Sequence, residues 1–234
     1  MRKEKTNLTL APVDLTFADA PVDLDFNDQT EGEIVHGKGK QPPAADALGL
    51  SRRLRIVTRT KHHARDLLGT SEALEHIITL PKPGESLHLI CAGEHTALDL
   101  ICATQRLLCR PITLVAATLS MNLSNAQRLL DMLATGEVLS IALVLSEFYA
   151  ANDTDQFNVI KSRLEAAGQR IVATRNHAKV ALIAAENPVA RLVLEGSGNL
   201  RSCARIEQAT LIHDAALYHF HHRWIDQLLQ NQKL

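Results

Sequence analysis

Three short stretches in the last third of this 234-residue chain carry side chains suited to phosphodiester chemistry. His177-Ala178-Lys179 supplies an imidazole and an ammonium, Gly196-Ser197-Gly198-Asn199 supplies a hydroxyl and an amide, and Glu207 supplies a carboxylate. Phosphoryl transfer needs an in-line nucleophile, with positive or hydrogen-bonding groups around the equatorial oxygens. A histidine can be that nucleophile, because its covalent intermediate divides one difficult step into two. This chemistry needs no metal or other cofactor, and we predict none.

Apolar runs rich in β-branched or small residues predict the strands that would position these groups. The runs cover residues 170–175, 179–185, 190–195 and 208–213. Side chains two apart in a strand share a face, about 6.5–7 Å from one another, so His177 and Lys179 should point the same way. Ser197 and Asn199 should do so too if the extended alternation continues, and the glycines should let backbone approach a ligand closely. Three neighbouring strand ends are therefore expected to converge on one pocket.

At these residues the chain resembles the phospholipase D superfamily, whose signature is His-x-Lys, four residues, Asp, and later Gly-Ser-x-Asn or Gly-Ser-x-x-Asn. The resemblance implies that the histidine is the nucleophile and that the lysine and asparagine bind phosphate oxygens. It also implies that the serine and glutamate help to order the site. The catalytic residues it indicates are His177, Lys179, Ser197, Asn199 and Glu207.

Two features depart from that signature. The family aspartate should stand at position 184, where this chain has Ala184, and the stretch between Lys179 and Gly196 is several residues longer than in the tightest form. Some nuclease-type and helicase-associated members look similar in lacking the aspartate. Glu186 or Glu207 could act on the histidine in its place.

The chain carries one copy of the motif. Neither His62-His63-Ala64-Arg65 nor His95-Thr96-Ala97 supplies the lysine and a glycine-serine partner. The resemblance implies that a one-copy chain pairs two subunits about a twofold axis, so that two His177 side chains meet at one phosphate. One would attack as neutral imidazole while the other, protonated, donates to the leaving oxygen. We therefore expect a homodimer, and leave His95, which could reach a site from a neighbouring strand end, unassigned.

Local charge favours a nucleic-acid partner, although the net charge of the whole chain is only −1. Basic residues cluster in the motif half, and Arg175, Arg201 and Arg205 lie close to the motif itself. These arginines are the predicted nucleic-acid-binding residues, with DNA as the expected substrate. Because acidic residues lie among them, an ordinary solvated face of mixed charge is the alternative.

The first fifty residues differ from the remainder, with four of the eight prolines and a tandem repeat. Residues 11–19 (APVDLTFAD) and 20–28 (APVDLDFND) are identical at seven of nine positions. Two nine-residue units cannot form a core, so residues 1–50 are expected to be disordered. The repeat either docks in a groove of a protein partner, with affinity raised by the linkage, or is a duplicated linker.

From residue 51 onward, apolar runs predict strands over 54–58, 86–91, 113–119 and 138–146, and the hydrophobic period predicts helices over 96–108, 122–135, 157–167 and 218–230. Strands that alternate with helices and then follow one another predict a single α/β domain over 51–234. We expect a mixed β-sheet flanked by helices, the fold that the phospholipase D-like resemblance also implies. The four cysteines show no C-x-x-C spacing, and no signal peptide or run of eighteen apolar residues occurs. A cytoplasmic location without a membrane partner is therefore expected.

Together these features predict a metal-independent nuclease that cleaves DNA through a covalent intermediate on His177. Hydrolysis of lipid headgroups is less expected, because the chain lacks a second motif and an evident membrane-binding helix. The competing hypothesis is a catalytically inactive nucleic-acid-binding or assembly protein with the same fold. Ala184 is the residue that favours this alternative.

Overall fold

The computed structural model describes residues 62–67, 73–91, 93, 95–201 and 205–230. The repeat and the strand predicted over 54–58 lie outside the described residues. The strands are β1 (His62–Asp66), β2 (Ser86–Cys91), β3 (Ile112–Ala117), β4 (Val138–Ser146), β5 (Arg170–Thr174), β6 (Val180–Ala185), β7 (Ala190–Gly196) and β8 (Glu207–His213). The helices are α1 (Leu74–Ile77), α2 (Ala97–Leu108), α3 (Leu123–Ala134), α4 (Glu147–Asn152), α5 (Thr154–Ala166) and α6 (Ala215–Gln230).

The strands form one mixed sheet in the order β1-β2-β8-β7-β6-β3-β4-β5. Parallel pairing joins β3 to β4 and β4 to β5, through helical crossovers. Antiparallel pairing joins β6, β7 and β8, and sets β6 against β3 and β8 against β2. The predicted mixed sheet flanked by helices is therefore confirmed.

Both faces of the central strands are covered, and the sequence shows why. Parallel strands buried on two faces read as continuous apolar runs, and in β4 Leu143, Val144 and Leu145 are all fully buried. Helices α2, α3 and α5 pack on one face in a large core cluster. On the opposite face, α6 closes a smaller cluster with Tyr218 and Ile225.

Side-chain caps fix the starts of two helices, α2 and α3, beside the strand ends that precede or follow the motif residues. Thr96 and Asp99 form a reciprocal capping box at α2, in which the Asp99 N–H donates to Thr96 Oγ1 and the Thr96 N–H to Asp99 Oδ2. Asn122 caps α3 by accepting from the Asn125 N–H at 2.9 Å. Such caps satisfy amide groups that the first helical turn leaves unpaired. None of the helices in the described ranges is long and apolar enough to cross a membrane.

Candidate active site

The His-x-Lys element lies in the segment between β5 and β6. The strand predicted over 179–185 begins at Val180, so that Lys179 lies directly before it. Asn176 holds this segment in place. Its Nδ2 donates to the carbonyl oxygens of Thr118, at 3.0 Å, and Val144, at 3.1 Å. Its Oδ1 accepts from the Ala178 N–H at 2.9 Å. The segment is thereby tied to the ends of β3 and β4.

His177 and Lys179 point the same way, as their spacing predicted. Lys179 Nζ lies 3.0 Å from His177 Nδ1 and donates to the His177 carbonyl oxygen at 2.8 Å. Since an ammonium can only donate, Nδ1 is the acceptor and the neutral ring carries its proton on Nε2. The His177 side chain is exposed, whereas Lys179 is half-buried. Burial lowers the pKa of Lys179, and the negative charge of Glu207 acts in the opposite direction.

Ser197 joins the end of β7 to the start of β8. Its hydroxyl donates to the Glu207 carboxylate and accepts from the Gln208 N–H at 3.0 Å. Its own N–H donates to the Gln208 carbonyl oxygen, also at 3.0 Å. Glu207 is the first residue of β8 rather than the residue before it. Its carboxylate is thus positioned by the serine hydroxyl.

Gly196 lets the backbones of β7 and β8 pack closely. A Cβ at this position would lie 2.4 Å from the Gln208 carbonyl oxygen and 3.1 Å from Ala209 Cα. The backbone of β8 therefore occupies the space that a side chain would need, while Gly196 also lines the pocket, so that close approach of a ligand stays a prediction. At Gly198 a Cβ would meet its nearest neighbours, Ala97 and Glu207, at 4.0 Å, which is ordinary contact.

Asn199 turns towards β3 instead of continuing the alternation of β7. Its Oδ1 accepts from Thr118 Oγ1 at 3.2 Å and from the Leu119 N–H at 3.1 Å. A backbone N–H can only donate, so this contact identifies the oxygen of the amide. The expectation that Ser197 and Asn199 extend the strand is wrong, because β7 ends at Gly196 and the two side chains bond to different elements. Asn199 lines the pocket, and within the described ranges no residue accepts a hydrogen bond from its Nδ2.

One pocket brings together Lys179 and Asn199, a polar side chain from each motif element, while His177 and Ser197 lie outside its lining. Lys179, Asn199, Glu207 and Arg201 line it, together with His95 and the amino end of α2. His177 adjoins it through Lys179, and the Gly196 N–H donates to the Lys179 carbonyl oxygen at 3.2 Å. The predicted convergence of neighbouring strand ends is confirmed.

The three predicted nucleic-acid-binding arginines occupy different surroundings. Arg201 lines the pocket and pairs with Asp153 at 3.5 Å. Arg175 lies outside the pocket lining and pairs with Glu147 at 2.9 Å, with 92% of its side chain exposed. Arg205 is exposed and also lies outside the lining. The three arginines therefore do not line one basic groove at this site.

Position 184, where the family signature has an aspartate, lies away from the pocket. Ala184 is four residues along β6 from Val180, about 13 Å at roughly 3.3 Å per residue. It is 7% exposed and packs in the apolar cluster beneath α6. Glu186 follows the far end of β6 and pairs with Arg191 at 2.6 Å. Of the two carboxylates considered as substitutes, Glu207 is the one that lines the pocket.

Sequence reasoning missed the residues that support the motif. Thr118 is 2% exposed, and its hydroxyl holds both Asn199 and the Leu200 N–H. Asn176 gave a usable signal, because asparagine often accepts from the backbone two residues ahead and here stands beside the motif histidine. His95 was noticed but left unassigned. It is 8% exposed, and its Nε2 has no hydrogen-bond partner in the described part of the chain.

No protein-family model matches the chain, and no curated protein matches it. Among solved structures it is similar to Nuc from Salmonella typhimurium, a phospholipase D family member, with 18% identity, a TM-score of 0.45 and coverage of 63% of this chain and 96% of that one. It is similar to a phosphatidylserine synthase of Haemophilus influenzae Rd KW20 with 11% identity, a TM-score of 0.42 and coverage of 65% and 40%. It is also similar to TrmBL2, an archaeal chromatin protein, with 8% identity, a TM-score of 0.38 and coverage of 62% and 52%. The chain thus spans about half or less of the last two proteins.

In the residues that the structure describes, the chain has an α/β fold with a mixed eight-stranded sheet flanked by helices. Its His-x-Lys and Gly-Ser-x-Asn elements meet where β6 begins and β7 ends, at the same ends of neighbouring strands.

Proposed function

We propose that this protein is a metal-independent phosphodiesterase that cleaves DNA through a covalent intermediate on His177. The observation that carries the proposal is the meeting of an exposed imidazole, a half-buried ammonium and an amide group beside one pocket. These are the groups that a phosphodiester requires for attack at phosphorus and for charge stabilisation at its oxygens.

The resting contact between Lys179 and His177 supports a specific first step. An incoming phosphate oxygen competes for the Lys179 ammonium, which then leaves His177 Nδ1. Nδ1 becomes free to hold the ring proton, and Nε2 gains the lone pair needed for attack. Asn199 Nδ2 donates to a second phosphate oxygen. Substrate binding itself therefore converts the histidine to the nucleophilic tautomer.

The covalent steps follow from this arrangement. Nε2 of His177 attacks the phosphorus, the bond to the leaving oxygen breaks, and that oxygen takes a proton from a general acid. Water then attacks the phosphorus of the phosphohistidine, the N–P bond breaks, and the proton of the water returns to the conjugate base of that acid. The nucleophile must be neutral and the general acid must carry a proton, so the reaction needs two groups held in different protonation states.

The general acid is proposed to be His177 of a second subunit, which makes the working unit a homodimer. The exposure of the ring supports this, since a second copy could reach it about a twofold axis. Sedimentation velocity at the assay concentration tests the point directly. A protein that is strictly monomeric while it cleaves DNA would contradict the shared site.

DNA is the proposed substrate, and a cytoplasmic location remains our expectation. Arg201 at the pocket and the exposed Arg205 and Arg175 could contact phosphates on either side of the cleaved one. Because Arg201 and Arg175 already pair with carboxylates, DNA would have to exchange these ion pairs for phosphate contacts. Exposed ion pairs are weak, so the exchange costs little.

One observation favours the second candidate, a binding or assembly protein without turnover. In the described residues no carboxylate contacts the His177 ring, and Glu207 is engaged by Ser197. An imidazole without an orienting partner is a poor nucleophile. This candidate predicts DNA retention without cleavage.

The deciding experiment incubates plasmid and single-stranded DNA with the full chain in excess chelator. Cleavage by the wild type, its loss in His177→Ala and its retention in His219→Ala, a control on the exposed face of α6, support the enzyme. Lys179→Met and Asn199→Ala should each lower the rate by about 10²–10³. Acid-labile, base-stable labelling from ³²P-DNA should appear in the wild type and in His219→Ala, and be absent from His177→Ala. Intact DNA with all variants, retained in a mobility assay, would favour the binding protein instead.

A further inference from the structure

The pocket is lined by an imidazole that the mechanism above does not use. His95 lies between β2 and α2 and lines the pocket with Lys179 and Asn199. It is 8% exposed, and in the described part of the molecule its Nε2 contacts no hydrogen-bonding atom. A buried polar atom without a partner costs stability unless a ligand satisfies it. This nitrogen is therefore an unfilled binding position in the pocket wall.

The amino end of α2 lies beside this imidazole. Thr96 and Ala97 line the same pocket. The capping box uses the N–H groups of Thr96 and Asp99, so that those of Ala97 and Leu98 have no acceptor among the described residues. Free amide groups and the helix dipole make such an end favourable for an anion.

The charges around the position favour an anion. Asp99, the acidic residue of the first turn, pairs with Arg128 at 2.8 Å. Glu207 faces the pocket but is engaged by the Ser197 hydroxyl. Lys179 and Arg201 supply positive charge from the opposite elements. The two negative groups thus have partners, and a phosphate oxygen would meet mainly donors.

The backbone at His95 is held before any ligand arrives. Cys91 Sγ at the end of β2 donates to the His95 carbonyl oxygen at 3.3 Å. Thr96, the next residue, is fixed on both its N–H and its hydroxyl by Asp99 at 2.7 Å. With its carbonyl oxygen and the following residue held in place, His95 can bind a ligand without a large ordering cost.

We propose that His95, through an Nε2–H, and the amino end of α2 form a phosphate-oxygen binding position within the pocket. The proposal rests on the proposed function, in that the ligand is the phosphate group of the phosphodiester. It adds a contact from the same subunit to those of Lys179 and Asn199, independent of any second copy of His177.

The first test uses the full-length wild-type chain with inorganic phosphate as the probe. Long-range ¹H–¹⁵N correlation spectra report each histidine ring nitrogen separately. Addition of phosphate should shift the His95 Nε2 signal in a saturable manner, while the ring signals of His219 on α6 stay constant. A His95 signal that does not respond at phosphate concentrations that shift His177 would overturn the inference. This measurement needs no substitution, so a folding defect cannot obscure it.

The second test compares two substitutions. His95→Leu removes the donor, while His95→Gln keeps an N–H group near the position of Nε2. Phosphate affinity should fall about 10- to 100-fold in His95→Leu, the loss expected for one hydrogen bond to a charged group. In His95→Gln the phosphate affinity should recover most of that loss. Equal affinity in both variants and the wild type would contradict the proposal.

The outcomes separate this inference from the proposed function. If the wild type cleaves DNA and His177→Ala does not, while His95 ignores phosphate, the enzyme stands and the His95 position fails. If His95 binds phosphate while no DNA is cleaved, the binding position stands and the nuclease proposal fails.

Discussion

Thr118 and Asn199 are joined by a hydrogen bond of 3.2 Å from the threonine hydroxyl to the amide oxygen. The carbonyl oxygen of the same threonine accepts from Asn176, the residue before the motif histidine, at 3.0 Å. One buried residue at the end of β3 therefore supports both the His-x-Lys and the Gly-Ser-x-Asn elements. The geometry of the pocket depends on this shared support, because neither element lies within a strand at its functional residues.

Asn176→Ala should destabilise the fold more than an ordinary loop substitution. It removes both donors to the Thr118 and Val144 carbonyl oxygens, so the free energy of unfolding should fall by about 2–4 kcal/mol. Urea denaturation measures this quantity. Asn152→Ala is the matched control, because Asn152 Nδ2 makes one exposed bond to the Phe148 carbonyl oxygen and should lose less than about 1 kcal/mol. Equal losses in the two variants would show that Asn176 does not anchor the motif.

The strands and helices that the sequence predicted well are those with a strong local cause. The predicted bounds of β2 and β4 are the observed ones, since each is an apolar run ended by polar or loop residues. The helices predicted to start at Thr96 and Asn122 begin one residue later, and these two residues are the caps of α2 and α3. The start of α5 was predicted three residues late, and β1, α1 and α4 were missed. These last three elements are at most six residues long, which is too short for a hydrophobic period to be recognised in the sequence.

The site was predictable where its residues are neighbours in sequence, and unpredictable where they meet across the sheet. The spacing of His177 and Lys179 indicated their contact. The bond from Asn176 to Thr118 spans 58 positions and exists because β6 pairs with β3, which no local pattern encodes. For the same reason the sequence could not show that β8 backbone occupies the space of a side chain at Gly196.

Gly196→Ala should cost stability, whereas Gly198→Ala should not. An added Cβ at position 196 would lie 2.4 Å from the backbone oxygen of Gln208, so β7 and β8 must separate locally. Overpacking of this kind typically costs about 1–3 kcal/mol. At position 198 the same atom meets only ordinary contacts at 4.0 Å. Urea denaturation of both variants is the measurement, and the interpretation of Gly196 fails if their midpoints coincide.

Ala184→Asp should impair the protein, although it restores the family signature. The new carboxylate would be buried among apolar side chains beneath α6, without a partner, which costs about 3–5 kcal/mol. DNA cleavage at a temperature where the variant is folded should not rise, because position 184 lies outside the pocket lining. Ala173→Asp, at an exposed position of β5, is the control and should be nearly neutral in stability. Higher activity in Ala184→Asp, with unchanged stability, would refute this account of the missing aspartate.

Glu207→Gln should move the titration of Lys179 to lower pH. Burial lowers the pKa of Lys179 below its ordinary value, and the Glu207 carboxylate opposes that effect by stabilising the ammonium. Without the carboxylate the pKa falls further, so the alkaline loss of phosphate binding and cleavage should begin at lower pH. Because the folded protein then binds the proton less tightly than the unfolded chain, stability should rise with pH from the folded pKa up to the unfolded one. The Lys179 ¹³Cε shift followed over pH measures the midpoint.

Glu186→Gln, whose carboxylate pairs with Arg191 beyond the far end of β6, should leave that midpoint unchanged. The same midpoint in Glu207→Gln and the wild type would rule out the electrostatic coupling between Glu207 and Lys179.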